Sequence, residues 1–317
     1  MANSHLTSNS SAQKHVVVVG GGLSPEREIS LASASSVRQA LSNIGYRVSF
    51  IDMDTDVAIK LLTLKPDVVF NCLHGIFGED GCLPGLLNIM KLPYTHSGVF
   101  ASSLAFNKIK AKEWFRLIGI ATAESIVIDK TDGTRKPGDP MDRPYIIKPC
   151  ANGSSIGVKA IFEGDHFDFT NYTFPYGDKI LVERFIKGKE FTVAVLNGEA
   201  LGIGEFHLFK SKRFIDYEAK YSEGLPTFSC PASISNIVQT ELLASSEKIY
   251  KSMDCRGPAR IDFILEEESE KLFVLEINTH PGMRSTSFFR RIAETCGGIN
   301  MECIVDKILK SASCNFE

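Results

Sequence analysis

The sequence predicts an α/β fold that opens on a parallel sheet, and three observations carry this. Apolar strand-like runs at residues 16–19, 46–52 and 67–72 alternate with helical spacing over residues 29–44. Strands interleaved with helices form a parallel sheet covered on both faces. Two of the runs end in glycine turns, Gly20-Gly21-Gly22 and Leu73-His74-Gly75, at the carboxyl edge where such sheets bind ligands. The length, 317 residues, implies about two domains at roughly 150 residues each.

The elements follow in order. Residues 16–19 are all valine, a buried-strand run, and Gly45 stops the helix over 29–44. A helix is predicted over 105–118, with Gly119 as its stop, and residues 129–144 read as a surface connection rich in Pro, Gly and charge. Strands are expected at 145–148 and near 180–184 and 190–196, a helix at 236–253 and a last helix near 301–312. Residues 205–231 form a polar connection of a length that is functional or disordered in a compact domain.

Composition excludes several classes. A 44% hydrophobic fraction supports a sizeable core and rules out disorder of the whole chain. No apolar run approaches the ~18 residues that span a bilayer. A net charge of −3 lacks the basic excess of a nucleic-acid binder. Residues 1–14 have no apolar core of a secretory signal and are expected to be a disordered tail. The eight cysteines contain no CxxC pair, so they are expected as reduced thiols of a cytoplasmic protein.

The most informative segment is 259–278, two apolar runs around an acidic turn and hence an antiparallel hairpin. With the turn centred on Ser269, Asp262 lies opposite Glu276 and Arg260 opposite Asn278. Strand side chains alternate, so Ile261, Phe263, Leu265, Phe273, Leu275 and Ile277 are expected in the core, with Val274 on the polar face. Two carboxylates and an amide oxygen are hard ligands suited to Mg²⁺, which binds a few carboxylates together with phosphate oxygens. The alternative is an ordinary solvated face, which leaves the Thr-His-Pro-Gly-Met loop after Asn278 unexplained.

Two further constellations point to a nucleotide. Lys148, borne on a strand, precedes the small-residue loop Asn152-Gly153-Ser154-Ser155-Ile156-Gly157, whose backbone N–H groups could meet phosphate. It is no Walker A sequence, and Pro25 breaks the Rossmann fingerprint after Gly20-Gly21-Gly22. Residues 181–186 with Glu190 offer apolar surface and acceptors for a base and its ribose. Glu26 after the first strand and His74 beside Gly78-Glu79-Asp80-Gly81 are placed for function at the sheet's carboxyl edge.

Together these residues resemble the D-alanine–D-alanine ligase family of ATP-grasp enzymes. The likeness runs from about His15 to Leu309 through Gly21–Ser30, Leu73-His74-Gly75, Lys148-Pro149, Tyr217-Glu218-Ala219-Lys220-Tyr221, Arg260-Ile261-Asp262 and Glu276-Ile277-Asn278-Thr279. The resemblance implies a three-domain ATP-grasp architecture: an N-terminal α/β domain (15–106), a central domain (107–188) and a C-terminal domain (189–317) with a mobile loop at 205–231. It implies ATP-dependent ligation of two D-alanines through an acyl phosphate, for peptidoglycan precursor synthesis. Asp262, Glu276 and Asn278 would hold two Mg²⁺ or Mn²⁺ ions. Lys108, Lys148, Ser155 and Lys220 would serve the phosphates, and Glu183, Phe185, Ile186 and Glu190 the adenosine. Glu26, linked to Ser154 and Tyr221, would meet the first substrate's ammonium group. Arg260 and the Gly282 N–H would form the oxyanion hole, and Ser287, Phe288, His74 and Glu79 would line the substrate site. A homodimer, a K⁺ requirement and a cytoplasmic location are also implied. Arg284, Phe288, Arg290 and Pro84 depart from the family's frequent residues near the second substrate. Another ATP-grasp carboxylate–amine ligase, and a nicotinamide-dependent oxidoreductase on the N-terminal sheet, remain as alternatives.

Overall fold

The computed structural model describes residues 13–131, 138–151, 157–207 and 227–314. Residues 1–12 of the expected tail, Ser154, Ser155, Lys220, Tyr221 and residues 208–226 of the expected mobile loop lie outside them.

The first sheet is parallel, as expected. β1 (His15–Gly20) lies between β2 (Arg47–Asp52) and β3 (Val68–Asn71). Its four valines are fully buried because both faces are covered. Val16 and Val18 pack towards α1 (Arg27–Asn43) and α8 (Met301–Lys310), from opposite ends of the chain. Val17 and Val19 meet Leu61 of α2 (Val57–Leu64) and Leu83 and Leu87 of α3 (Cys82–Ile89). α2 and α3, at eight residues each, are too short for helical periodicity to stand out in the sequence.

The single helix expected over 105–118 is two helices, α4 (Val99–Phe106) and α5 (Lys108–Leu117). Asn107 breaks them apart: it takes an extended conformation, and its side chain accepts a hydrogen bond from the backbone N–H of Lys110. A short amide competes with the helix in this way and stabilises a helix start instead.

A second, antiparallel sheet holds β4 (Ser125–Asp129), β5 (Tyr145–Pro149), β6 (Lys159–Ile161) and β7 (Lys179–Arg184) in the order β4-β7-β5-β6. The third sheet has the order β10-β9-β8-β11-β12, from β8 (Gly188–Leu196), β9 (Glu199–His207), β10 (Thr227–Ser229), β11 (Pro258–Glu266) and β12 (Leu272–Asn278). α6 (Asn236–Ser252) lays Leu242, Ile249 and Tyr250 on Val193, Val195, Ile261 and Phe263 of this sheet. α7 (Phe288–Thr295) precedes α8. All eight cysteines are free, in line with the expected thiols.

The β11–β12 hairpin keeps the expected pairs Arg260↔Asn278 and Asp262↔Glu276. Beyond them the register slips, so that Phe263 faces Val274 and Ile264 faces Phe273. One extra residue on β12 reverses the expected faces from there on. Val274 enters the core with Ile261 and Phe263. Phe273 and Leu275, expected in that core, join Ile264, Ile186 and Ala123 on the other face.

Candidate active site

Where the second and third sheets meet, charge is gathered from three elements. Lys148 on β5 and Lys112 on α5 converge on Glu183 of β7, with Nζ–Oε separations of 2.5 and 2.7 Å. All three side chains are almost wholly withdrawn from solvent. Burial opposes ionisation of Glu183, but the two ammonium groups hold its carboxyl below the usual range. The lysines respond in opposite directions. Burial and the neighbouring Lys148 push Lys112 down to about 8, although Glu183 favours its charge. Burial also opposes the charge of Lys148, yet Glu183, Glu276 and Glu190 together hold its ammonium above the usual value. Lys112 faces a single carboxylate, and Lys148 faces three.

A second cluster sits on the open face of the third sheet. Directly opposed residues share a face, so Asp262 groups with Thr192 of β8 and Glu276 of β12, and Ile264 with Glu190. Arg260 holds Asp262 with two hydrogen bonds of 2.9 Å, and the Thr192 hydroxyl donates to the same carboxylate at 2.6 Å. Glu276 lies 3.3 Å from Lys108 Nζ and 3.8 Å from Arg260. Lys108 is delivered by the start of α5, where its backbone N–H donates to the carbonyl of Cys150 at 2.8 Å. Cys150 thus serves through its backbone, and burial pushes its thiol up, away from reactivity. The apolar floor beside these charges is Ile186, Ile264, Phe273 and Leu275. Phe185 is held edge-on by Phe162, with ring centres 5.1 Å apart.

The third part lies at the carboxyl edge of the first sheet. Ser24 donates to the His74 carbonyl at 2.7 Å and accepts the N–H of Glu26 at 3.1 Å. His74 lies 3.2 Å from Glu79 and 3.3 Å from Ser33. Gly75 has φ +71°, and a Cβ there would lie 2.7 Å from the Glu26 carboxylate. The loop after β12 reaches this edge, since Met283 N–H donates to Ser33 at 3.2 Å. Gly282 packs against Ser287, whose hydroxyl oxygen would be 2.7 Å from any Cβ.

The family model for the D-ala D-ala ligase C-terminus matches residues 115–310 of this chain. The D-alanine–D-alanine ligase of Rickettsia akari (strain Hartford) is 56% identical over 305 residues, covering 96% of this chain and 94% of that protein. The chain belongs to the D-alanine–D-alanine ligase family. The enzyme of that name from Rickettsia canadensis (strain McKiel) is 55% identical over 96% of this chain and 84% of its own length. Among solved structures, the D-alanine–D-alanine ligase of Bacillus anthracis complexed with ATP superposes with a TM-score of 0.79 at 23% identity, covering 94% of this chain and 97% of that one. The Coxiella burnetii ligase superposes with a TM-score of 0.77 at 25% identity, covering 94% and 93%. The fold is that of the ATP-grasp ligases.

Of the residues expected at this family's site, the structure brings six into two clusters. Lys108, Arg260, Asp262 and Glu276 form one cluster, and Lys148 and Glu183 the other. Glu183, expected to meet adenosine, lies between Lys112 and Lys148 and serves as their counter-charge. Arg260, expected at an oxyanion, has its fork on Asp262. Asn278 accepts the N–H of His280 at 2.8 Å through its side-chain oxygen. Phe288 packs on Phe206 and Phe228, and Arg290 turns to Glu294 at 2.7 Å. Of these two departures from the family's frequent residues, Phe288 is thus engaged in packing and Arg290 in an ion pair. Sequence reasoning missed Lys112 and Thr192. The signals were a lysine four residues after Lys108, on the same helical face as buried Ala111 and Phe115, and a hydroxyl two residues after Glu190 on one strand face.

The donor set fits divalent metal: two carboxylates and one amide oxygen occupy adjacent positions of one hairpin face. No group of three His, Cys, Asp or Glu side chains suited to a metal occurs among the described residues. The remaining ligands would be phosphate oxygens, the usual partners of Mg²⁺.

Proposed function

We propose that this chain joins two D-alanines into D-alanyl-D-alanine at the expense of ATP, in peptidoglycan precursor synthesis. The observation that carries the reading is the pair of charged clusters, lysines around Glu183 and cations around Asp262 and Glu276, flanking an apolar floor at the meeting of two sheets. A family of ligases with this fold and ATP, in one solved neighbour, agrees with it.

The adenine rests on Ile186, Ile264 and Leu275, with Phe185 and Glu190 beside it. Lys148 and Lys108 neutralise the phosphates, joined by Ser155 and Lys220. Glu183 and Lys112 keep Lys148 in place and charged. Asp262, Glu276 and Asn278 would hold two Mg²⁺ or Mn²⁺ ions, which draw negative charge from the γ-phosphate. Glu26, with Ser154 and Tyr221, takes the ammonium group of the first D-alanine, and His74 and Glu79 shape that end of the site. Its carboxylate attacks the γ-phosphorus, giving an acyl phosphate and ADP. The amine of the second D-alanine then attacks the acyl carbon, and inorganic phosphate leaves the tetrahedral intermediate. Arg260 and the Gly282 N–H support the oxyanion, and Ser287 and Phe288 border the second substrate.

The three sheets support a division into domains at 15–106, 107–188 and 189–317; of the expected loop at 205–231, residues 205–207 are strand in β9, residues 227–229 are strand in β10, and residues 208–226 lie outside the described residues. A homodimer, activation by K⁺ and a cytoplasmic location complete the reading. Purified protein with ATP, Mg²⁺ and D-alanine is expected to release phosphate and form dipeptide, whereas L-alanine supports neither. A panel of D- and L-amino acids in the phosphate-release assay decides it; no response to D-alanine would overturn the substrate assignment.

A further inference from the structure

One contact near the site has no part in the roles above. His96, on the connection between α3 and α4, and His280, in the turn after β12, lie face to face with ring centres 4.7 Å apart and planes within 8°. Both are buried. Phe70 closes the outer side of His96 edge-on at 5.5 Å, and Thr95 shares a hydrogen bond of 2.9 Å with its Nδ1. Burial pushes both imidazoles down in pKa, so two neutral rings are stacked.

The contact retains two unfavourable features. His96 has φ +73°, a left-handed backbone disfavoured for a residue with a side chain. Nε2 of His280 is buried with no hydrogen-bond partner among the described residues. Strain of this kind persists where the surroundings over-determine it, and it collects at sites of function. The surroundings here are explicit: Arg256 donates to the His96 carbonyl at 3.0 Å, pinning its backbone. His280 N–H donates to Asn278, and three residues on Met283 N–H donates to Ser33, which contacts His74. The stack is therefore a side-chain clamp between the first sheet and the turn that carries Gly282.

We propose that His96 is a positioning residue which, by stacking on His280, fixes the turn over residues 279–283 for the D-alanine steps. This rests on the ligase reading above. The turn bears the Gly282 N–H and abuts Ser287 and Ser33, on the amino-acid side of the site. The phosphate lysines stand on other elements, Lys148 on β5 and Lys108 on α5. Displacing the turn is expected to weaken the D-alanine steps more than nucleotide affinity.

The test is steady-state kinetics of His96→Ala and His96→Phe beside the wild type, varying D-alanine and ATP separately. His96→Ala is expected to lower kcat/KM for D-alanine about 10- to 100-fold, the scale of a small misplacement of reacting groups, with KM for ATP within about twofold. His96→Phe keeps a flat ring against His280 and is expected to recover most of the loss. Thermal unfolding of each variant checks that the fold survives. Unchanged D-alanine kinetics in a folded His96→Ala protein overturns the proposal. So does a parallel loss for ATP and D-alanine, or failure of phenylalanine to rescue in a folded protein, since each marks a general packing role. A wild-type protein without D-alanine-dependent phosphate release removes the ligase reading and this inference together, whereas an active wild type with an indifferent His96 removes the inference alone.

Discussion

Glu183 shows how one buried carboxylate can gather two lysines. Replacing Lys112 by methionine leaves Glu183 and Lys148 as a bare buried pair. Breaking a buried ionic group costs about 3–5 kcal/mol, so Lys112→Met is expected to lower the urea midpoint markedly. The pH dependence has a definite sign. Lys112 titrates near 8 when folded and at 10.5 by its ordinary value, so between these the unfolded chain binds more protons. Its contribution to stability therefore rises from pH 8 towards 10.5. Comparing urea unfolding of wild type and Lys112→Met across that window should show the wild type gaining on the variant; a flat difference would contradict the assignment. At the carboxylates, Asp262→Asn or Glu276→Gln is expected to cut dipeptide formation by about 100-fold or more, because the γ-phosphate loses support for its charge. Near-normal turnover in both would remove the hairpin face as the metal site.

At the scale of elements, Asn107 and the β11–β12 irregularity do the positioning. Asn107→Ala removes the cap of α5 and is expected to cost about 1 kcal/mol, read by thermal unfolding. KM for ATP should rise with it, because Lys108 is the first residue of that helix. How much was legible follows from local rules. The valine run of β1, the pairing of Asp262 with Glu276 and the register of Arg260 with Asn278 were readable, since alternation and a centred turn are local properties. The reversal beyond Asp262 was not, because an extra residue in one strand shows only when the partner strand is seen. The site's charged residues were readable as types in a resembling pattern. Their pairing was not: the partners of Glu183 come from α5 and β5, far apart in the sequence. His96 and His280 carried no signal: two lone histidines separated by most of the chain declare nothing until their rings meet.

Among the described residues the chain is a succession of three sheets whose shared borders hold the chemistry. The first sheet supplies Glu26 and His74, the second Lys148 and Glu183, and the third Asp262, Glu276 and Asn278. Gly75→Ala tests the first of these borders. Its Cβ would press on the Glu26 carboxylate in a left-handed backbone, and a D-alanine KM raised about tenfold or more is expected, with ATP affinity retained. Sedimentation at micromolar concentration should give the mass of a dimer, and a monomer that retains full activity would remove that part of the reading.

The packing of α8 against β1 has a consequence for how the chain is made. Val16 and Val18 leave the ribosome early, yet part of their cover, Ile304, Val305, Ile308 and Leu309, is translated nearly three hundred residues later. Tyr94 likewise bridges to Ser313. The N-terminal sheet therefore emerges with an apolar flank bare and waits for it until α8 is translated. A nascent chain stalled before residue 301 should hold that sheet unfinished, open to proteases and chaperones, and finish it only once α8 has cleared the exit tunnel.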